Sequence, residues 1–347
     1  MNVLSLFDGI SCGRLALERA GIKVDKYYAS EIDKHAIKIT QHNYPDTIQL
    51  GDVTKIDFNQ FIGKIDLLIG GSPCTGFSPA GKGLNFEDPQ SKLFFKYLEA
   101  LQTIKPKYFL LENVKMKKEW EDIITEHMGV QPIAINSELV SAQHRRRLYW
   151  TNIPNVTIPE DKGIMLKDIV HEYVDNYTAE QLQSYIIDPK KSLTLLEKET
   201  EKGKIGYYGI DSQGTRVYTI HGKSVTLVGG AGGMGGKTGL YLFGCITPDR
   251  VNKRQNGQRF NAGEKFYTLT AQDQHGILID GYIRKLTPTE CERLQTVPDD
   301  YTAVEGVSNI QRYKCLGNGW TVDVIKHIFE GLKTSNNVEI CQENLFI

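Results

Sequence analysis

No stretch of the chain approaches the run of about 18 apolar residues that a membrane-spanning helix needs, which argues against a membrane span. Cysteine is sparse: six are scattered over 347 residues, with no paired spacing and no histidine cluster. That pattern suits neither a disulfide framework nor a zinc site, so no metal is expected and a reducing cytoplasm is the default. An excess of either charge is missing as well. Lys+Arg 41 against Asp+Glu 42 leaves a net charge of −1, which excludes a polybasic, histone-like binder but not an enzyme whose positive charge is gathered on one face. The opening MNVLSLFDGI is apolar, yet it lacks basic residues and carries Asp8, so it reads as a first β-strand rather than a signal peptide. What is present, 40% hydrophobic and 24% charged residues, describes an ordinary globular protein of about two domains at roughly 100–200 residues each.

The first 150 residues alternate apolar runs with helical stretches, the βαβ rhythm of a parallel sheet covered by helices. Strands are expected at Val3–Phe7, Lys26–Ser30, Ile65–Ile69 and Tyr108–Leu111, and helices at Ser11–Ala20, Lys34–His42, Ser91–Ile104 and Lys118–Glu126. Polar groups follow many of these strands: Asp8-Gly9, Glu31, Gly71-Ser72-Pro73-Cys74 and Glu112-Asn113. Ligands of an open α/β sheet bind outside the carboxyl ends of its strands, so these distant residues are expected to converge. Composition then shifts. About half of the 33 glycines fall between Gly203 and Gly281, interleaved with β-branched and aromatic runs such as Arg216–Ile220 and Lys265–Thr270, and this reads as an inserted, loop-rich β domain. Gly214-Thr-Arg216…Lys223-Ser-Val-Thr226-Leu227 faintly repeats in Gly257-Gln-Arg259…Lys265-Phe-Tyr-Thr268-Leu269, as two related hairpins or by chance. Helix returns around Thr287–Gln295 and Val322–Leu332. The expected division is 1–155 with 310–347 as one domain and 156–309 as the insert.

Phe7-Asp8-Gly9-Ile10-Ser11 lies between a strand and a helix, where glycine lets a nucleotide-like ligand approach the backbone near a helix N-terminus. Glu31 ends the second strand, placed to accept from ribose hydroxyls, and Asp52 ends the third element, placed to accept from an adenine amino group. This segment indicates a nucleoside cofactor; a nicotinamide dinucleotide fits it as well as S-adenosylmethionine. Cys74 follows an apolar strand in a turn with Pro73, Thr75 and Ser78, an accessible setting for a nucleophile, although a lone cysteine is more often buried and inert. With a free-thiol pKa of roughly 8.5 it needs a partner. Glu112, at the end of another apolar strand, is one candidate; capping or a salt bridge is the bland alternative. Gln143, Arg145 and Arg147 alternate along a segment after the strand-like run Ile133–Val140, so they are expected to face one pocket, against the alternative of a solvated arginine surface.

These residues carry a resemblance. Pro73-Cys74, Glu112-Asn113-Val114 and Gln143-x-Arg145-x-Arg147 resemble, in order and spacing, the catalytic motifs of the DNA (cytosine-5)-methyltransferases. The segment from Arg284 through Thr287 and Glu290 to Gln295 resembles the support of that family's target-recognition domain, and Gly317-Asn318-Gly319-Trp320-Thr-Val322 its last cofactor motif. The opening Leu4–Gly9 and Trp320 resemble the branch that includes the animal de novo enzymes. Ser11 stands where glycine is usual, and Gly319 where serine is usual.

The resemblance implies a Rossmann-like S-adenosylmethionine-dependent α/β fold with an inserted β-rich target-recognition domain. It implies a covalent reaction on an everted cytosine of double-stranded DNA. Cys74 adds to carbon 6 while Glu112 protonates or hydrogen-bonds nitrogen 3; carbon 5 then attacks the sulfonium methyl, a base takes the carbon 5 proton, and Cys74 leaves. Arg145 would bind the base carbonyl and Arg147 would support it. Cofactor contacts are implied for Phe7, Asp8, Gly9, Ile10, Ser11, Glu31, Ile32, Asp52, Val53, Pro73, Leu93, Asn318, Gly319 and Trp320. DNA contacts are expected from Ser78, Gln143, Arg250, Lys253, Arg254 and Arg259, with Gly229–Gly239 as a loop for close backbone approach. A monomer is implied, with a cognate restriction endonuclease as a possible companion. Against this stand an NAD-linked oxidoreductase, an inactive DNA-binding homologue, which the presence of Cys74, Glu112, Arg145 and Arg147 weakens, and an RNA methyltransferase on the same core.

Overall fold

The computed structural model describes residues 1–72, 91–170, 193–196, 198–229, 236–245, 260–261 and 282–333. Pro73, Cys74, Ser78, Arg250, Lys253, Arg254 and Arg259, with the second half of the faint repeat, lie outside the described residues, as does the middle of the 229–239 loop.

The N-terminal half alternates strands and helices: β1 (Asn2–Leu6), α1 (Cys12–Arg19), β2 (Lys26–Ser30), α2 (Lys34–Asn43), β3 (Ile48–Gln49), β4 (Leu67–Gly70), α3 (Ser91–Ile104), β5 (Tyr108–Val114), α4 (Lys118–Met128), β6 (Ile133–Asn136) and β7 (Arg146–Thr151). The seven strands form one sheet in the order β3-β2-β1-β4-β5-β7-β6, parallel except for β7, which runs antiparallel to both its neighbours. Alternation along the strands builds two cores. Val3, Leu67, Ile69 and Leu110 pack on the face that carries Leu15, Ala16, Ile325 and Ile328. Leu4, Leu68, Phe109 and Leu111 pack on the opposite face with Phe94, Tyr97 and Ile124. Both faces are thus covered, which is why these strands read as continuous apolar runs. Strand order reverses between β1 and β4, and the ends of those two strands border a crevice.

Two expected boundaries moved for physical reasons. β5 runs three residues beyond Leu111, because Glu112, Asn113 and Val114 pair with Tyr149, Leu148 and Arg147 of β7. Strand β6 stops at Asn136 instead of continuing to Val140, since the Asn136 side chain accepts the Arg145 backbone N–H (2.9 Å) and caps a short 3-10 turn at Ser137–Leu139.

The insert is β-rich. Strands β8 (Leu193–Leu195), β9 (Lys204–Tyr208), β10 (Arg216–Thr219), β11 (Leu240–Cys245), β12 (Phe260–Asn261) and β13 (Tyr282–Arg284) form a second sheet, with β10 and β11 parallel and the other pairs antiparallel. After β13 come α5 (Pro288–Leu294), α6 (Asn309–Asn318) and α7 (Val322–Phe329). Leu286, Leu294, Val297 and Tyr301 belong to the same core as β1 and α1, so the stretch after β13 joins the first layer well before residue 310. Among the described residues no helix is long and apolar enough to cross a membrane.

Candidate active site

The crevice at the strand ends opens into a cavity of about 390 Å³, within the roughly 300–1,000 Å³ typical of small-molecule sites. Its wall includes Phe7 and Gly9 after β1, Glu31 and Ile32 after β2, and Asp52 and Val53 after β3. Gly71 and Ser72 after β4, Leu93, Glu112, Arg145, Arg147, and Gly317 and Asn318 from α6 also line it.

The β1–α1 loop is tightly wound: Phe7 and Ser11 both hold positive φ, 59° and 58°. Ser11 sits where a glycine would relieve that geometry. Its hydroxyl is turned inward to the Asp8 carboxylate (2.5 Å) and lies 3.0 Å from the Thr40 hydroxyl. Asp8 also accepts from the Tyr27 hydroxyl (2.8 Å), and burial pushes its carboxyl pKa up. Consequently Asp8, Ile10 and Ser11, expected at the cofactor, stand behind the cavity wall and not on it: Ile10 and Ser11 are wholly buried. Glu31 fixes the loop from the other side. Its Oε2 accepts the Gly9 amide (2.8 Å), and its Oε1 accepts the amides of Ile32 and Asp33 (2.7 and 2.8 Å). Ile32 is 76% exposed, an apolar surface presented to the cavity. Asp52 is ionised at neutral pH, because the Thr54 backbone N–H and hydroxyl hold its pKa below the ordinary range. Lys314 closes on Asp33 at 2.6 Å across this end.

At the other end Glu112 is gripped on both oxygens. Arg147 Nε lies 2.9 Å from Oε1, and Trp320 Nε1 donates to Oε2 at 3.0 Å. Gly71 permits this closeness, since a Cβ there would come within 2.8 Å of Glu112 Oε2. Asn113 Nδ2 donates to the Ser72 hydroxyl (3.3 Å), tying β5 to the residue before Pro73-Cys74.

The two arginines take different places. Arg145 is buried and donates to the carbonyls of Leu227 (3.2 Å), Gly317 (3.3 Å) and Gly319 (2.9 Å). Burial, then the neighbouring Arg147 charge, pulls its pKa down, yet a guanidinium stays protonated at any ordinary pH. Arg147 is the one against the carboxylate, while Arg145, expected at the base carbonyl, is engaged with backbone carbonyls. Gln143 does not join them. The chain is extended only from Arg146, and Gln143 is fully buried in an isolated parallel bridge to Ser224 of the insert. Gly319 and Trp320 also stand behind the cavity wall.

Sequence reasoning missed Ser30, Asp33, Ala36, Cys315 and Gly317 as wall residues. Ser30 adjoins Glu31 and Gly317 opens the quoted last motif, so both were within reach of it; Cys315 had no signal. Burial pushes the thiols of Cys12 and Cys315 up to about 12, which leaves both inert as nucleophiles near neutral pH.

Comparison with known proteins agrees with this geometry. The orphan methyltransferase M.SPRI of Bacillus phage SPR is 31% identical over 96% of this chain and 97% of its own. The type II methyltransferase M.HhaI of Haemophilus parahaemolyticus is 27% identical over 97% of this chain and 95% of its own. Among solved structures, the Entamoeba histolytica methyltransferase EhMeth superposes with a TM-score of 0.68 at 18% identity, covering 96% of this chain and 98% of that one, which shows a shared fold. The sequence pattern of the C-5 cytosine-specific DNA methylases matches residues 1–334. The chain therefore belongs to the C-5 cytosine-specific DNA methylase family, and it is an enzyme that transfers a methyl group to carbon 5 of cytosine in DNA.

Proposed function

We propose that the enzyme uses S-adenosylmethionine and acts on an everted cytosine of double-stranded DNA through a covalent Cys74 adduct. The observation that carries this reading is the Glu112 carboxylate, held by Arg147 and Trp320 in the wall of a cavity that also carries Glu31 and Asp52. The residues fit such a cofactor: Glu31 and Asp52 retain lone pairs for hydroxyl and amino groups. Phe7, Ile32, Val53 and Leu93 supply apolar surface beside them, and Gly9 and Asn318 polar contacts. When bound, S-adenosylmethionine supplies an electrophilic methyl group.

The protein's part is to make carbon 5 nucleophilic. The Cys74 thiolate forms a bond to carbon 6, and the displaced ring electrons are accommodated by Glu112 at nitrogen 3 and Arg147 at the base carbonyl. Arg145 braces the segment that carries Arg147. Once carbon 5 is methylated, loss of its proton restores the double bond and expels Cys74 as thiolate. Eversion costs a few kcal/mol, offset by these pocket contacts. Ser78, Arg250, Lys253, Arg254 and Arg259 are proposed to contact DNA, and the enzyme is proposed to work as a monomer in the cytoplasm. A partner endonuclease is not required, in keeping with the orphan designation of the phage relative.

The test is a duplex with 5-fluorocytosine at a target site, where fluorine replaces the carbon 5 proton and cannot be removed as a cation, so the adduct persists after methyl transfer. Bisulfite sequencing of DNA from expressing cells identifies that site. A denaturation-resistant protein–DNA adduct is expected with the native chain and none with Cys74→Ser, which should fold and bind S-adenosylmethionine normally. Equal turnover by Cys74→Ser would overturn the covalent route.

A further inference from the structure

Trp320 was expected to touch the cofactor, yet its indole is outside the cavity wall and its N–H is aimed at Glu112 Oε2, 3.0 Å away. Three contacts fix the ring. Its far edge faces Gly13 at the start of α1, where an added Cβ would lie 3.4 Å from Cζ3. Its Nε1 faces Gly71, where an added Cβ would lie 2.9 Å away. Its backbone amide donates to the Cys12 sulfur. An indole N–H can only donate, so it fills one lone pair of Oε2 and opposes rotation of the carboxyl. Arg147 does the same at Oε1. A carboxyl with one donor on each oxygen has a single orientation left in which to meet a base. Without the indole, Glu112 is held through its other oxygen alone.

We infer that Trp320 is a positioning residue for the reaction: it orients Glu112 toward the target base and ties that orientation to the loop and helix start beside the cofactor. The inference rests on Glu112 engaging the base, as proposed above. A hydrogen bond to a charged group in a buried site is strong enough that its loss translates into about a tenfold to hundredfold fall in rate.

The experiment compares Trp320→Phe, Glu112→Gln and the double variant in single-turnover methylation, with S-adenosylmethionine affinity measured alongside. Trp320→Phe should slow methylation about tenfold to hundredfold and change cofactor affinity less than about threefold. In the Glu112→Gln background the same change should slow it less than about threefold further, because coupled residues do not add. Additive losses, or a loss confined to cofactor affinity, would reject the role of Trp320. If Glu112→Gln alone turns over at the native rate, the reading of Glu112 itself fails, a separate result. Should Trp320→Phe not fold, benzothienylalanine at position 320 keeps the bicyclic shape and removes only the N–H. The same slowing is then expected, and native kinetics would reject the inference.

Discussion

Arg145 and Arg147 stand two positions apart and differ in what they touch: one grips backbone carbonyls of the insert and of the end of α6, the other the Glu112 carboxylate and the carbonyl of its neighbour Arg146. Their losses should therefore be read by different instruments. Arg145→Ala leaves three carbonyls without this donor and should cost about 3 kcal/mol of stability, seen as a lower urea midpoint. Arg147→Lys keeps the charge but not the planar geometry, and should leave the midpoint nearly unchanged while lowering kcat about tenfold or more. The reverse pattern would restore the expected assignment, with Arg145 on the base. The sequence pointed to both arginines, because their spacing is visible in a linear chain. It could not say which one meets the carboxylate, since the partners of Arg145 lie 82 to 174 positions later in the chain. Trp320 shows the same limit: its residue type was noted, but its partner Glu112 lies 208 positions away.

At the level of elements, the insert meets the catalytic layer along a seam of glycines. A Cβ on Gly317 would lie 2.3 Å from the Gly229 amide nitrogen and 2.5 Å from the Val228 carbonyl carbon, both backbone atoms that cannot step aside. Alanine favours helix over glycine, and Gly317 is in α6, so propensity alone would make Gly317→Ala stabilising. The clash should win, at about 1–3 kcal/mol of reduced stability by urea titration. Gly222→Ala, where an added Cβ meets only Thr219 at 4.0 Å, should stay within about 0.5 kcal/mol. Helix α6 is also an element that reading the sequence overlooked. Its buried side is Arg312, Cys315, Leu316 and Gly317, too thin and too polar an apolar stripe to announce a helix. By contrast β2, α2 and α3 were legible almost to the residue, because sheet burial on both faces and amphipathic helix faces leave clear periodic patterns. The end of β5 was not, since Glu112 and Asn113 look like a loop until β7 is there to pair with them.

For the whole molecule, a net charge of −1 leaves no general attraction to DNA, so binding must depend on where the cations are placed. Arg250, Lys253, Arg254 and Arg259 fall in a stretch free of acidic residues. The double variant Lys253→Ala with Arg254→Ala should weaken DNA binding and reduce the slope of log affinity against log salt by about two, at roughly 0.9 for each phosphate no longer neutralised. An unchanged slope would move the DNA cleft elsewhere. The guanidinium of Arg145 has a further consequence, for biosynthesis. Its three acceptors come from positions 227, 317 and 319, so a nascent chain cannot complete that knot until the last of them has emerged from the ribosome. Translation products that stop before residue 319 should therefore be inert, because they lack an anchor for the segment that carries the catalytic carboxylate's partner.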